Sequence, residues 1–305
     1  MTLMTKVCNM ASRPALGLSC ALITVLAWAA SFPLIGIALS GFTPLPLAAT
    51  RFAIAAVPAA IWLLIVRPPM PHLRDLARLA LGSALGISIY NWLLNTGQQT
   101  VSPGAASFII NTLPIWTAML ATIFLRDRFG LGAWIATSIS FSGVALIAIG
   151  QPGEMRFGNG SSLILLASIL SASYFVLVRN VIARYGAGTC TCWTLITGAL
   201  WLCPWLADGI DQFMTAPLSV MSAMLFLGLV SASLGYATWS YAISHFGPAG
   251  AANFLYLVPP IAVALAWSLT GITPDVLTLI GGVIAIIGVI MLRISMARNA
   301  RRATA

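Results

Sequence analysis

Apolar runs of about 20 residues, separated by short polar or Gly/Pro-rich breaks, dominate the chain from Ala15 onward. A helix of that length spans the hydrocarbon core of a bilayer, at about 1.5 Å per residue over about 30 Å. The pattern predicts ten spans, at residues 15–39, 46–66, 76–96, 105–125, 131–149, 162–182, 189–206, 220–244, 249–269 and 276–294. The first run follows Lys6 and Arg13 and contains Ala27-Trp28-Ala29, which imitates a cleavage site. It is longer than the core of a signal peptide, about 7–15 residues, and is expected to be retained as a span.

One of these runs returns. With a shift of 146 positions, Gly104, Ala105, Ala106, Phe108, Pro114, Ile115 and Ala118 meet Gly250, Ala251, Ala252, Phe254, Pro260, Ile261 and Ala264. Leu81, Gly82 and Tyr90 meet Leu227, Gly228 and Tyr236 at the same shift. Two related halves with five spans each enter the membrane from opposite sides, because five is odd. Such inverted repeats recur in secondary transporters, with the substrate site near the midplane between them.

Composition narrows the class to membrane proteins: 60% of the 305 residues are hydrophobic and 7% are charged. Mean hydropathy is +0.98. The basic residues set the orientation. If the N-terminus is cytoplasmic, 13 of the 15 fall on the cytoplasmic side, leaving Arg156 opposite and Arg51 inside a span. The net charge of +9 then reflects topology and attraction to anionic lipid on the cytoplasmic face, not nucleic-acid binding. The expected fold is an all-α integral membrane protein of ten helices in two inverted five-helix repeats, with both termini cytoplasmic. Its parts are a cytoplasmic tail (1–14), a first repeat (15–150), a non-cytoplasmic linker (151–161), a second repeat (162–294) and a basic cytoplasmic tail (295–305).

Particular residues carry a family resemblance. They are Trp28-Ala-Ala-Ser31-Phe32-Pro33 in the first span, Arg51-Phe52 in the second, and the Gly-Ala-Ala openings of the fourth and ninth with Pro114 and Pro260. In order and spacing the chain resembles the ten-helix, EamA-like members of the drug/metabolite transporter superfamily. The family pattern often has a lysine shortly after Phe-Pro; here Ile35, Gly36 and Ile37 stand there. It often closes the fourth span with Gly-Glu-Arg, where this chain reads Arg126-Asp127-Arg128. The resemblance implies a permease that moves small metabolites outward.

The intramembrane polar and aromatic residues are the candidates for a substrate pathway. In the first span these are Trp28, Ser31 and Phe32, with helix packing as the alternative role. Arg51 is the one fully charged side chain well inside a span, at a cost of about 2.5–3.5 kcal/mol on insertion scales. It either snorkels to the surface or pairs structurally, or it serves gating or contacts an anion. Ser88, Asn91 and Asn95 share one face of the third span beside Tyr90, and Gly82 and Gly86 form a close-packing pair.

The fourth and ninth spans are broken by proline, which removes a backbone donor and frees a carbonyl one turn back. Asn111 and Trp116 flank the break at Pro114, and Asn253 and Tyr256 precede Pro259 and Pro260. The three prolines are expected hinges, and the flanking residues expected cargo contacts. Ser171, Ser173 and Tyr174, together with Ser233, Tyr236, Trp239 and Ser240, supply hydroxyls and aromatic faces from the sixth and eighth spans. Gly143, Gly281, Gly282 and Gly288 suggest tight contacts in the fifth and tenth, either scaffold or a homodimer surface.

Enzyme chemistry has little to stand on. His72 and His245 lie at span edges, and Cys190-Thr-Cys192 reads as core packing rather than a metal pair. No cofactor is expected. The spans hold no carboxylate, so proton exchange would fall to Asp127, His245 or a group at the membrane edge. A cavity of amides, hydroxyls and aromatic rings with one arginine suits a small zwitterionic or amphiphilic metabolite, first of all an amino acid or relative, carried across a bacterial cytoplasmic membrane. The alternatives are a carrier for phosphorylated or nucleotide-linked metabolites and a non-transporting sensor or partner-binding subunit.

Overall fold

Large apolar side chains face outward and polar ones inward in the computed structural model, which describes residues 14–101, 103–126, 129–150, 158–270 and 275–304. Leu64, Ile65, Ile123, Ile149, Leu200 and Val283 are all more than half exposed, while Thr24, Ser83, Asn91, Asn95, Ser231 and Asn253 are buried. Water penalises that arrangement. A lipid solvent favours it, because polar groups must then find partners inside the bundle. Asp127, the 1–13 part of the N-terminal tail and the 151–157 part of the linker lie outside the described residues.

Every regular element among the described residues is helical. Among the described residues, seven helices are long and apolar enough to cross a membrane: Ala15–Ala38, Pro44–Val66, Ala105–Phe124, Leu131–Gly150, Ser161–Tyr185, Ala187–Thr215 and Leu218–Ala264. Val276–Leu292 is apolar but shorter. The protein is therefore a multi-pass membrane protein. The third expected span lies on a helix running unbroken from Leu73–Ser83 through Ala84–Ile89 to Tyr90–Gly97. The 47-residue run Leu218–Ala264 leaves helical geometry at Gly247, with φ 70° and ψ 167°.

Local sequence explains where the helices start and stop. Thr43 is extended and precedes Pro44, whose fixed φ suits a first helical turn and whose missing N–H costs nothing there. Arg67, at φ 47°, closes the same helix ahead of Pro68 and Pro69. The fourth and ninth expected spans are both divided. Pro103–Ile110 stops at Asn111 and Thr112 before Leu113–Phe124 begins, and the 3₁₀ turn Asn253–Leu257 precedes Val258–Thr270. Pro114, Pro259 and Pro260 thus sit in the first turn of a half-helix, where a proline is best tolerated.

Two stretches are wound as π-helix, Ala84–Ile89 and Leu227–Leu234. With the 146-residue shift they overlap, and each is followed within two residues by a tyrosine, Tyr90 or Tyr236. The centre of the bundle is aromatic: Trp239 packs 4.8 Å from Phe175 and 5.2 Å from Trp28, between ring centroids. The helices Leu131–Gly150 and Val276–Thr304 pack on each other. Gly143, Gly281 and Gly288 bring the backbones so close that a Cβ at any of them would strike the facing chain.

Candidate functional site

A cavity with about 60 Å³ of free space lies inside the bundle. Nine residues expected on the pathway line it: Trp28, Ser31, Phe32, Arg51, Tyr90, Asn91, Asn111, Ser171 and Tyr236. The rest of the wall is Leu94, Ile110, Leu113, Phe175, Leu255 and Val258. Most of these added residues are plain aliphatics, which no sequence pattern separates from ordinary packing. Ile110, Leu113, Leu255 and Val258 carry a signal nonetheless, because they flank the two helix breaks.

Arg51 does not snorkel. Its side chain turns into the bundle and is 5% exposed. Nε donates to the Leu227 carbonyl at 3.2 Å, and Nη1 donates to Asn91 Oδ1 at 3.2 Å. The guanidinium carbon stands 5.4 Å from the Phe52 ring centroid, within cation–π range. No carboxylate among the described residues pairs with it. Asn91 is held in turn by its Nδ2, which donates to the Ile87 carbonyl at 2.7 Å.

The π segments supply partners for this wall. A π turn breaks the regular i→i−4 ladder, and its carbonyls become available to side chains. Arg51 uses the carbonyl of Leu227, Trp28 Nε1 that of Ser231 at 3.0 Å, and Tyr236 O–H that of Gly86 at 3.1 Å. Ser31 Oγ pairs with Ser231 Oγ at 2.8 Å and also reaches back to the Ala27 carbonyl at 3.0 Å. Three donors on the cavity wall are thus anchored on mis-wound backbone, each reaching between the halves of the chain.

The other expected pathway residues sit behind the wall or away from it. Asn95 Nδ2 donates to the Pro44 carbonyl at 3.0 Å. Trp116 Nε1 donates to Thr112 Oγ1, and Ser173 Oγ bonds back to Ile169. Asn253 holds the Ala249 carbonyl through Nδ2 and accepts from Thr137 at Oδ1. Tyr174 packs where Gly82 and Gly86 leave room, so that glycine pair serves a tyrosine ring. Trp239 and Tyr256 are fully enclosed, and neither Trp239 Nε1 nor the Tyr256 hydroxyl has a partner among the described residues. Cys190 and Cys192 are buried.

No sequence pattern singles out Asp75. It is 2% exposed at the start of the helix Leu73–Ser83. Arg184 Nη1 donates to its Oδ2 at 2.6 Å, Tyr185 O–H to the same oxygen at 3.0 Å, and Arg78 Nη1 to Oδ1 at 3.1 Å. Tyr185 also accepts the His72 N–H at 3.1 Å. Burial alone would push the Asp75 carboxyl up; the Tyr185 and Arg184 hydrogen bonds, with the charges of Arg184 and Arg78, outweigh it and hold the group below the usual carboxylate range. The available signal is the Asp75/Arg78 spacing on an amphipathic first turn, which usually marks a solvated face.

The sequence profile of the EamA-like transporter family matches this chain twice, at residues 15–149 and 158–294. The chain belongs to the EamA-like transporter family. It is 32% identical over 270 residues to a probable terminal-alkyne amino-acid exporter of Streptantibioticus cattleyicolor, covering 88% of this chain and 91% of the relative. It is 34% identical over 263 residues to the transporter YdfC of Bacillus subtilis, covering 86% of each. Over 249 residues it is 26% identical to the inner membrane transporter YedA of Escherichia coli K12, covering 81% of this chain and 80% of the relative. A crystal structure at 15% identity superposes with a TM-score of 0.71 over 96% of this chain and 100% of its own, a likeness of fold. Membership makes a transporter role the general assignment for this protein.

Proposed function

We propose that this family member is a secondary transporter that moves a small organic metabolite, an amino acid or related zwitterion, outward across a bacterial cytoplasmic membrane by alternating access. The reading takes ten spans in two five-helix repeats, 15–150 and 162–294, with both chain ends cytoplasmic. The observation that carries it is Arg51: a buried charge with no carboxylate partner among the described residues, on the wall of a cavity to which both repeats contribute.

Helix lengths support the count. The run Leu218–Ala264 has 47 residues, and Gly247 divides it. A continuous helix of that many residues would be about 70 Å long, more than twice a hydrocarbon core. With the helix from Leu73 to Gly97 and the one beginning at Val276, ten crossings result.

Packing supports the inverted relation. Pro14–Ala29 packs on Gly235–Ala252, and its counterpart Ser161–Tyr185 packs on Tyr90–Gly97 and Leu73–Ser83. Pro14–Ala29 also packs on Val258–Thr270, as Ser161–Tyr185 does on Leu113–Phe124. Pro44–Val66 meets its own counterpart Ala187–Leu202, and Leu131–Gly150 meets Val276–Thr304. Exchange of the halves carries these contacts onto one another, as a two-fold axis would. An odd number of spans per half puts that axis in the membrane plane.

The cavity chemistry supports the cargo class. Phosphorylated cargo needs several cationic contacts, and this wall carries one arginine. The relative from Streptantibioticus cattleyicolor is named for amino-acid export. Proteoliposomes loaded with labelled amino acids test the reading: protein-dependent release is expected. No protein-dependent flux over a broad metabolite panel would overturn it in favour of a sensor or partner-binding subunit.

A further inference from the structure

A guanidinium carries five N–H donors in a rigid plane. In Arg51 the Leu227 carbonyl and Asn91 Oδ1 take two, which leaves three without a partner among the described residues, on a residue that lines the cavity. A buried cation with neither counter-ion nor full hydrogen bonding among the described residues is costly, which makes an anion its fitting partner. Leu113 and Val258 are the first residues of the half-helices Leu113–Phe124 and Val258–Thr270, and both line the same cavity.

Asn111 presents the opposite need. It is 2% exposed, and its Nδ2 donates to the Ser107 carbonyl at 2.7 Å. A carbonyl only accepts, so the amide orientation is fixed and Oδ1 is the free end. That oxygen has no hydrogen-bond partner among the described residues. Pro114 offers no N–H to the Ile110 carbonyl one turn back, so a second acceptor stands unclaimed by the usual helical bond at this break.

We propose that the cavity is a two-point site for the zwitterionic end of an apolar α-amino acid. The carboxylate lies against the Arg51 guanidinium, the ammonium against Asn111 Oδ1, and the side chain against Leu94, Phe175 and Leu255. The inference rests on the carrier reading above and deepens it. A simple carboxylic acid would satisfy Arg51 and leave Asn111 Oδ1 unpaired; an amine would do the reverse. The rest of the wall, in which Ser31, Asn91 and Ser171 stand among aliphatic and aromatic residues, offers no charge to a polar cargo side chain.

The test is binding to the purified full chain in lipid nanodiscs, followed by intrinsic tryptophan fluorescence and calorimetry. The probes are leucine, leucinamide (no carboxylate), 4-methylpentanoate (no ammonium) and chloride. Leucine is expected to bind, and each analogue to bind at least about tenfold more weakly. Arg51→Gln is expected to erase the difference between leucine and leucinamide while the ammonium preference persists. Asn111→Leu is expected to erase the difference between leucine and 4-methylpentanoate while the carboxylate preference persists.

Equal binding of all three organic probes by the wild type overturns the proposal, as does Arg51→Gln protein that still prefers leucine to leucinamide. Saturation by chloride alone, with no further effect of leucine, overturns it too and makes Arg51 an inorganic-anion site. The wild-type series decides the matter even if a variant fails to fold. If leucine does not bind but liposomes show protein-dependent flux of another metabolite, the two-point site fails and the carrier reading stands. If no flux is found, both fall.

Discussion

Arg184 donates to Asp75 at 2.6 Å, and the pair ties the start of the third helix in the first matched segment to the end of the first helix in the second. Asp75 is the enclosed partner, with 3% of its side chain exposed against 60% for Arg184. Because its carboxyl is held below the ordinary range, the latch contributes its full stability above the ordinary carboxylate pKa of about 3.9. That contribution is lost as pH falls from there through the folded value. Thermal unfolding in detergent should show wild-type melting nearly constant from neutrality to about pH 4–5 and falling below it. Asp75→Asn should melt lower at neutral pH and show a shallower acid decline; identical profiles for the two proteins would remove Asp75 from the latch.

Arg51→Met should separate stability from transport. The substitution relieves a desolvation cost of about 2.5–3.5 kcal/mol and removes two charge-assisted hydrogen bonds of about 1.5–3 kcal/mol each. These effects offset to within a few kcal/mol, so the variant should remain folded. Flux in liposomes should fall by at least about tenfold, since a thioether cannot hold an anion. A variant that carries cargo at the wild-type rate would show Arg51 to be structural.

Gly186 and Gly247 hold φ of 82° and 70° with ψ of 157° and 167°. That region is open essentially to glycine alone. Each is the single residue at which one long helix hands over to the next. Alanine at either position should cost about 1–3 kcal/mol of stability, read as a lower melting temperature. No atom stands within 4 Å of a Cβ built at either, so an unchanged melting temperature would show that the turn can be remade in another conformation.

The glycines of the last helix should differ sharply among themselves. A Cβ on Gly281 meets the backbone of Gly143 and Ile147, whereas one on Gly282 meets only the Pro260 Cβ at 3.6 Å, an ordinary contact. Gly281→Leu should destabilise by about 1–3 kcal/mol or more through overpacking. Gly282→Ala should be neutral or stabilising, by up to about 1 kcal/mol from helix propensity. Equal effects would mean that the two helices part easily.

Much of this architecture is legible in the chain because lipid imposes a simple rule: long apolar runs form helices, and polar interruptions need partners. Trp28, Arg51, Asn91 and Asn111 stand out as polar or amphipathic groups inside such runs, and they meet at one cavity. The third-span stripe shows where the rule stops. Ser88, Asn91 and Asn95 share a face, yet Ser88 turns to the Gly198 carbonyl, Asn95 to Pro44, and only Asn91 reaches the cavity. Which neighbour claims each side chain depends on helices remote in sequence, and spacing carries no trace of that. Asp75 is hidden for the opposite reason, since its enclosure comes from Arg184 and Tyr185 on a distant helix. The π winding leaves no signature either: Gly86 and Gly228 mark close approach, not the turn that surrounds them.

Each π segment stores one residue beyond what a regular helix of the same length would use. Unwinding that surplus would rotate the following residues by about 100° and slide them by about 1.5 Å. Tyr90 and Tyr236 are the first side chains to feel such a turn, and the rotation would carry the Tyr236 hydroxyl off the Gly86 carbonyl. The aromatic lining is thus geared to helix winding, so that a change of register in the backbone becomes a change in the shape of the chamber it encloses.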